Sequence, residues 1–148
     1  MRPAGTAMAF SGVMGQPDAM SKNIYRTDGT IDSFENRNPQ RDYEIQFVAP
    51  EFTSVCPMTG LPDFGTLTIT YIPDKRCIEL RSFKYYLQTY RNRGIFYEDV
   101  VNQILDDIVE AVQPRWAMVE GAFNTRGGIS AKVTAVYPDS DSDESTEP

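Results

Sequence analysis

The strongest constraint on the fold is the order in which hydrophobic periodicity changes along the chain. Tyr43-Glu44-Ile45-Gln46-Phe47-Val48 alternates apolar and polar residues, as a half-buried strand does, and Pro50 is expected to end it. Thr66 to Ile72 (TLTITYI) is a second strand, dense in β-branched residues. Between them PEFTSVCPMTGLPDFG, with Pro50, Pro57, Gly60, Pro62 and Gly65, reads as a loop stiffened by its prolines. Pro73-Asp74 turns the chain, and Cys77 to Leu80 is expected to form a return strand. The period then lengthens. Phe83, Tyr86, Leu87 and Tyr90 fall at i, i+3, i+4 and i+7, with Lys84, Gln88 and Arg91 on the opposite face of a helix that Ser82 is expected to cap and Gly94 to stop. A second helix opens at Glu98 and Asp99, buries Val101, Ile104, Leu105, Ile108 and Val112, and ends at Pro114. Two strands follow, Ala117 to Phe123 and Ile129 to Tyr137, around an Arg126-Gly127-Gly128 turn. The order strand, strand, helix, helix, strand, strand predicts an α+β domain in which two helices cover one face of a four-stranded antiparallel sheet. Such a sheet keeps two open edges and an uncovered face, so association into a larger closed assembly is expected.

The 148 residues suffice for one domain with tails. Residues 1–29 lack a periodic apolar face and are expected to be disordered, the folded domain to span 30–137, and the acidic end 138–148 to be disordered as well. That end carries Asp139, Asp141, Asp143, Glu144 and Glu147 and no base; removing those five acids from the net charge of −7 leaves −2. Within the remainder, Lys75, Arg76, Arg81, Lys84, Arg91 and Arg93 face a single acid, Glu79, over residues 75–93. The body is therefore nearly neutral with one basic segment. No apolar run approaches the ~20 residues of a membrane span, so no membrane association is expected. The start lacks the pattern of a signal peptide, and two cysteines are too few for a disulfide framework; a reducing cytoplasm is expected. The chain contains no histidine, which excludes a Ser-His-Asp triad, a Cys-His dyad and any metal site built on imidazole.

Two stretches carry candidate chemistry. Cys56-Pro57-Met58-Thr59-Gly60-Leu61-Pro62-Asp63 puts a nucleophilic thiol and a proton-delivering carboxyl in one stiff loop. The plainer alternative is a small buried hydrophobe and a turn former; Cys77 reads as strand packing. Glu79 to Tyr86 (ELRSFKYY) sets cations and hydroxyls on the polar side of a helix, as a phosphate-bearing ligand requires, or as a merely solvated face would. Glu98 beside Tyr97 could accept paired N–H donors of a guanine-like edge while the ring stacks, or could simply favour the helix start. There is no GxGxxG or GxxxxGK[ST]. Nucleic acid is not the expected partner, because Phe83, Tyr86 and Tyr90 share the core stripe and are not free to stack on bases.

The run from Phe52 to Val112 followed by RGGI closely resembles the NADPH-dependent 7-cyano-7-deazaguanine reductases, the nitrile reductases of queuosine biosynthesis, in their short single-module form. The CPxTGxPDF loop and the E-[SL]-K-S-x-K-x-[YF] segment carry the resemblance, which covers residues 31–137. It implies a tunnelling fold related to GTP cyclohydrolase I, without that enzyme's zinc site, in which subunits join their sheets around a barrel and two rings stack, typically as a decamer of two pentamers. It implies that Cys56 is the nucleophile and Asp63 the general acid. It places Ile78, Glu79, Leu80, Tyr97 and Glu98 at the substrate, a small deazapurine nitrile, and Arg81, Ser82, Lys84 and Arg126 at NADPH. Two positions depart from the pattern: Arg81 replaces a usual Lys, and Tyr97 a usual His. The implied reaction passes through a Cys56 thioimide and two hydride transfers to 7-aminomethyl-7-deazaguanine, with no metal. The alternatives are an amidine-forming relative that uses the same thioimide, and a non-catalytic tunnelling-fold oligomer that binds a purine.

Overall fold

The computed structural model describes residues 28–139. The disorder expected for 1–29 and 138–148 falls outside them, apart from the inner ends of both segments. The elements are β1 (Ser33–Glu35), β2 (Ile45–Val55), β3 (Pro62–Ile72), β4 (Arg76–Ile78), α1 (Leu80–Gln88), α2 (Tyr97–Val112), β5 (Trp116–Arg126) and β6 (Ile129–Tyr137). β2, β3, β5 and β6 form one antiparallel sheet in that order, and β1 pairs with β4 in a separate two-stranded sheet. No helix among the described residues is long and apolar enough to cross a membrane.

One face of the large sheet is apolar at every second residue. Leu67, Ile69 and Tyr71 of β3 and Ala117, Val119 and Phe123 of β5 are buried there. α2 lies across β5 and β6 and fills the face with Val100, Val101, Ile104, Leu105, Ile108 and Val112, while α1 adds Phe83 and Tyr86 on the β2 side. Each fully buried aliphatic side chain contributes about 1.5–3 kcal/mol, so this seam fixes the register of the helices on the sheet. A polar link joins the helices: Tyr86 Oη donates to Asp107 Oδ2 and lies 3.0 Å from Tyr90 Oη, and Gln103 Nε2 donates to Asp107 Oδ1 at 3.0 Å. The other face exposes Val48, Phe64 and Val136, and β2 and β6 are the edge strands of this sheet, β2 carrying on its other side a bridge from Val55 to Gly94.

Several local expectations are corrected. Pro50 does not end its strand. β2 continues to Val55, and the pairing with β3 slips by one residue between Ala49 and Phe52. Pro lacks an N–H and is tolerated there because β2 is an edge strand and the slip is a bulge. The supposed long loop is therefore a hairpin whose connection is only residues 56–61, and β3 begins at Pro62, not Thr66. The return strand stops at Ile78, its partner β1 was not anticipated, and Leu80 opens α1. The N-cap of α1 is Glu79, not Ser82: the Glu79 carboxylate accepts from Ser82 N at 2.7 Å and Arg81 N at 3.0 Å. α1 ends at Gln88, well before Gly94. α2 ends as expected, with Gln113 in the left-handed region ahead of Pro114.

Candidate active site

Two single-residue slips aim the site. In β2, Ile45, Phe47 and Ala49 share the inner face; after the slip at Pro50-Glu51 the even-numbered Phe52 and Ser54 take it over, and Cys56 follows with the same parity. A one-residue change in register moves every later side chain to the opposite face. In β5, the pairing with β6 slips between Phe123 and Arg126, which turns Arg126 from the outer to the inner side. The Gly127 and Gly128 φ values of 61° and 81° close this hairpin with a turn that only glycine adopts readily.

Cys56 sits at the mouth of the 56–61 connection and is partly exposed. Its backbone is held at both ends: Cys56 N donates to Leu61 O at 2.8 Å, and Cys56 O accepts from Gly60 N at 2.8 Å. The preceding residue is pinned from behind, because Val55 N donates to Arg93 O at 3.1 Å and Val55 O accepts from Ile95 N at 3.0 Å. The Thr59 hydroxyl, then the backbone N–H groups of Thr59 and Met58, hold the Cys56 thiol below its ordinary pKa, against a smaller opposing push from burial and from the Asp63 charge. Thr59 Oγ1 also accepts from Leu61 N at 3.2 Å, which leaves its proton to the sulfur. Thr59 was not singled out from the sequence, although it lies three residues after the cysteine in the motif.

Asp63, at the start of β3, is buried and is the register partner of Ser54. Its Oδ1 accepts from Tyr97 Oη at 3.1 Å and pairs with Arg126 Nη1. Arg126 Nη1 also donates to Pro62 O at 3.2 Å. Tyr97, in the first turn of α2, stacks on Phe123 with ring centroids 3.9 Å apart and planes 5° from parallel. Burial, then the bond to Asp63, raises the Tyr97 pKa and keeps the phenol a donor. Ser54 Oγ is enclosed without a hydrogen-bond partner among the described residues. Glu98 is exposed beside Tyr97. The structure thus brings Cys56, Asp63, Tyr97 and Arg126 together, with Glu98 at the rim.

The remaining expected site residues lie elsewhere in the same chain. Ile78 N donates to the Tyr71 hydroxyl at 2.8 Å, at the far end of β3 from Asp63. Eight residues of strand separate Tyr71 from Asp63, on the order of 25 Å at the usual rise. Ile78, Glu79 and Leu80 share that distant end. Burial works to raise the Glu79 carboxyl, but the Ser82 and Arg81 N–H groups, the Ser82 hydroxyl and the Arg81 charge outweigh it and hold it below the usual range. Ser82 is buried; its hydroxyl donates to Glu79 O and accepts from Asp32 N, both at 2.8 Å. Arg81 and Lys84 are exposed on α1. Lys84 lines a groove of about 410 Å³ between α1 and β2, with Phe47, Pro50, Leu80, Phe83 and Arg91. The floor is apolar, and the charged side chains on its lining are Lys84, Arg91 and the acid Glu51.

Comparison of the whole chain with known proteins gives its family. The family model described as QueF-like protein matches residues 62–142. The chain belongs to the QueF-like family. Over 107 residues it is 60% identical to the NADPH-dependent 7-cyano-7-deazaguanine reductase of Chlorobaculum tepidum, covering 72% of this chain and 92% of that one. The protein of the same name from Rhodopirellula baltica is 54% identical over 110 residues, 74% and 91% of the two chains. Among solved structures, the archaeosine synthase QueF-Like in its apo form superposes with a TM-score of 0.60 at 25% identity, covering 63% of this chain and 91% of that one. The fold is accordingly the α+β tunnelling fold expected from the sequence, with two helices on one face of a four-stranded antiparallel sheet.

Proposed function

We propose that this protein is an NADPH-dependent 7-cyano-7-deazaguanine reductase, which converts the nitrile to 7-aminomethyl-7-deazaguanine in the queuosine modification of tRNA. The observation that carries the reading is the lowered thiol of Cys56 next to the buried Asp63, in a chain 60% identical to a protein of that name. The Cys56 thiolate adds to the nitrile carbon. One π pair of the C≡N bond moves to nitrogen, and nitrogen takes the proton of Asp63, giving a thioimide. Cys56 departs after the first reduction, and an imine remains for the second. Bound NADPH supplies hydride, two equivalents of which separate a nitrile from a primary amine. In this chain Lys84 and Arg91 would hold its phosphates over the apolar floor of the α1–β2 groove, with Arg81 adjacent. Glu98 accepts the N–H edge of the deazapurine, and Tyr97 lies beside it.

The distance between the Cys56–Asp63 end and the Ile78–Leu80 end supports a site completed between subunits. So do the edge positions of β2 and β6 in the sheet and the exposed apolar residues of the outer face. We assign the protein to a homo-oligomer, a decamer of two stacked pentamers, in which Ile78, Glu79 and Leu80 of one subunit approach Cys56 of another. A nucleophilic free thiol works best in a reducing compartment, and we assign it to the cytoplasm.

The test mixes the protein with 7-cyano-7-deazaguanine and NADPH and follows the nicotinamide absorbance. Loss of two NADPH per nitrile, abolished in Cys56→Ala, is expected. Nitrile consumption without nicotinamide oxidation would instead mark an amidine-forming enzyme, and binding without consumption a non-catalytic purine carrier.

A further inference from the structure

Tyr97 and Arg126 were expected at the substrate and at the cofactor, yet the Tyr97 hydroxyl and Arg126 Nη1 both meet one oxygen of the same carboxylate. Tyr97 Oη reaches Asp63 Oδ1 from the start of α2, and Arg126 Nη1 reaches it from the end of β5. Neither contact uses Oδ2. Each partner is itself built into place. Tyr97 is laid flat on Phe123, which fixes the ring and points the hydroxyl. Arg126 faces inward only because β5 slips by one residue after Phe123; the unbroken alternation of the strand would send it to the opposite face. Its second bond, to Pro62 O, ties the guanidinium to the residue before Asp63. Asp63 is enclosed to 7% side-chain exposure, whereas Arg126 keeps 41%, so the arginine covers the carboxylate from the solvent side.

We propose that Tyr97 and Arg126 are positioning residues that clamp Asp63 by Oδ1, so that Oδ2 alone carries the transferred proton. The proposal rests on the nitrile-reductase reading. In the addition step a thiolate and a carboxyl become a neutral thioimide and a carboxylate: the S–C bond forms, a C–N π bond breaks, and the Oδ2–H proton goes to nitrogen. The negative charge that began on Cys56 ends on Asp63. The guanidinium and the phenol meet it there in a partly enclosed site, where charge-assisted hydrogen bonds are stronger than in water. Relative to Asp63 loaded with its proton, the clamp therefore favours the adduct, and it acts through Asp63 Oδ1. A tyrosine suits this task where an imidazole does not stand, because only donation is required of it.

The test needs no NADPH. The full-length protein is mixed with 7-cyano-7-deazaguanine, quenched at intervals, and weighed by mass spectrometry for covalent adduct. Non-covalent affinity is measured by calorimetric titration of the nitrile in a Cys56→Ala background. Arg126→Met is expected to slow adduct formation at saturating nitrile by about 10- to 100-fold, the worth of a hydrogen bond to a charged group, with affinity unchanged within about two-fold. Arg126→Lys, which keeps the charge but not the fork, should recover part of the rate. Tyr97→Phe keeps the ring on Phe123 and should slow the step less. An unchanged adduct rate in both Arg126→Met and Tyr97→Phe overturns the proposal while leaving the reductase reading intact. So does a loss of nitrile affinity at constant saturated rate in Arg126→Met, which would make the arginine a ligand contact. A wild-type protein that forms no adduct overturns the reductase reading and the clamp with it.

Discussion

The Cys56 thiol pKa is lowered by its own loop. The Thr59 hydroxyl is the largest of the influences that lower its thiol, ahead of two backbone N–H groups. Thr59→Val keeps the shape and removes that donor. The midpoint of the pH–rate profile for iodoacetamide alkylation of Cys56 should move up toward the ordinary thiol value of 9.0, because less thiolate is then present at any given neutral pH. The rate at pH 7 should fall by at least the few-fold that one hydrogen bond is worth. A profile that stays in place would assign the lowered thiol to the backbone alone. Thr59 is exposed, so the variant should fold normally. At this scale the spacing of Cys56 and Asp63 in one loop left a plain packing reading open, and the resemblance singled the pair out. The sequence was silent where an ordinary residue acts through geometry. Thr59 is an unremarked loop threonine, and Ser54 sat in what looked like loop and is in fact enclosed on the sheet face. Glu79 read as a ligand for substrate; in the structure its carboxylate caps α1.

Among the elements, the helices were the more legible. The stripe from Val101 to Val112 is buried as its spacing predicts, because a 3.6-residue period over four turns admits one orientation. The strands were legible in existence and not in extent. A bulge breaks the alternation that marks a strand, so Pro50-Glu51 looked like an end when it is a slip inside β2, and residues 52–55 and 62–65 were lost to a presumed loop. Those are the residues that aim Cys56 and Asp63. A second close tolerance lies beneath Tyr97. A Cβ at Gly65 would stand 2.7 Å from the Ala122 carbonyl oxygen and 2.9 Å from the Phe123 ring, the ring on which Tyr97 stacks. Gly65→Ala should therefore destabilise the fold by about 1–3 kcal/mol, the cost of overpacking a tight interior, as read by urea denaturation. It should also slow nitrile addition more than a loss of stability explains, because Phe123 and Tyr97 must shift away from Asp63. Unaltered stability would show that β3 and β5 separate freely at this point.

For the whole molecule, Asp63 and Tyr71, beside Ile78, stand at opposite ends of one sheet, on the order of 25 Å apart along β3, and on the proposed reading these ends are two half-sites. Edge-to-edge association of β2 and β6 would let the end of one subunit meet the opposite end of another, which a single chain's sequence reveals only as a sheet too small to cover itself. Light scattering should give a mass far above that of a dimer, and dilution to subunits should abolish turnover. Mixed, reassembled Cys56→Ala and Glu79→Ala subunits, each inactive alone, should regain activity where an intact Cys56 meets an intact Glu79 from another chain; no recovery would place both residues' work within one subunit. All of this chemistry depends on one covalent bond. Intact-mass measurement of the assembled protein mixed with 7-cyano-7-deazaguanine, without NADPH, followed by peptide mapping, tests that bond directly. The expected result is a gain equal to the whole nitrile, located on Cys56, absent in Cys56→Ala and retained in Cys77→Ala; an adduct on Cys77, or NADPH-dependent turnover surviving in Cys56→Ala, would contradict it.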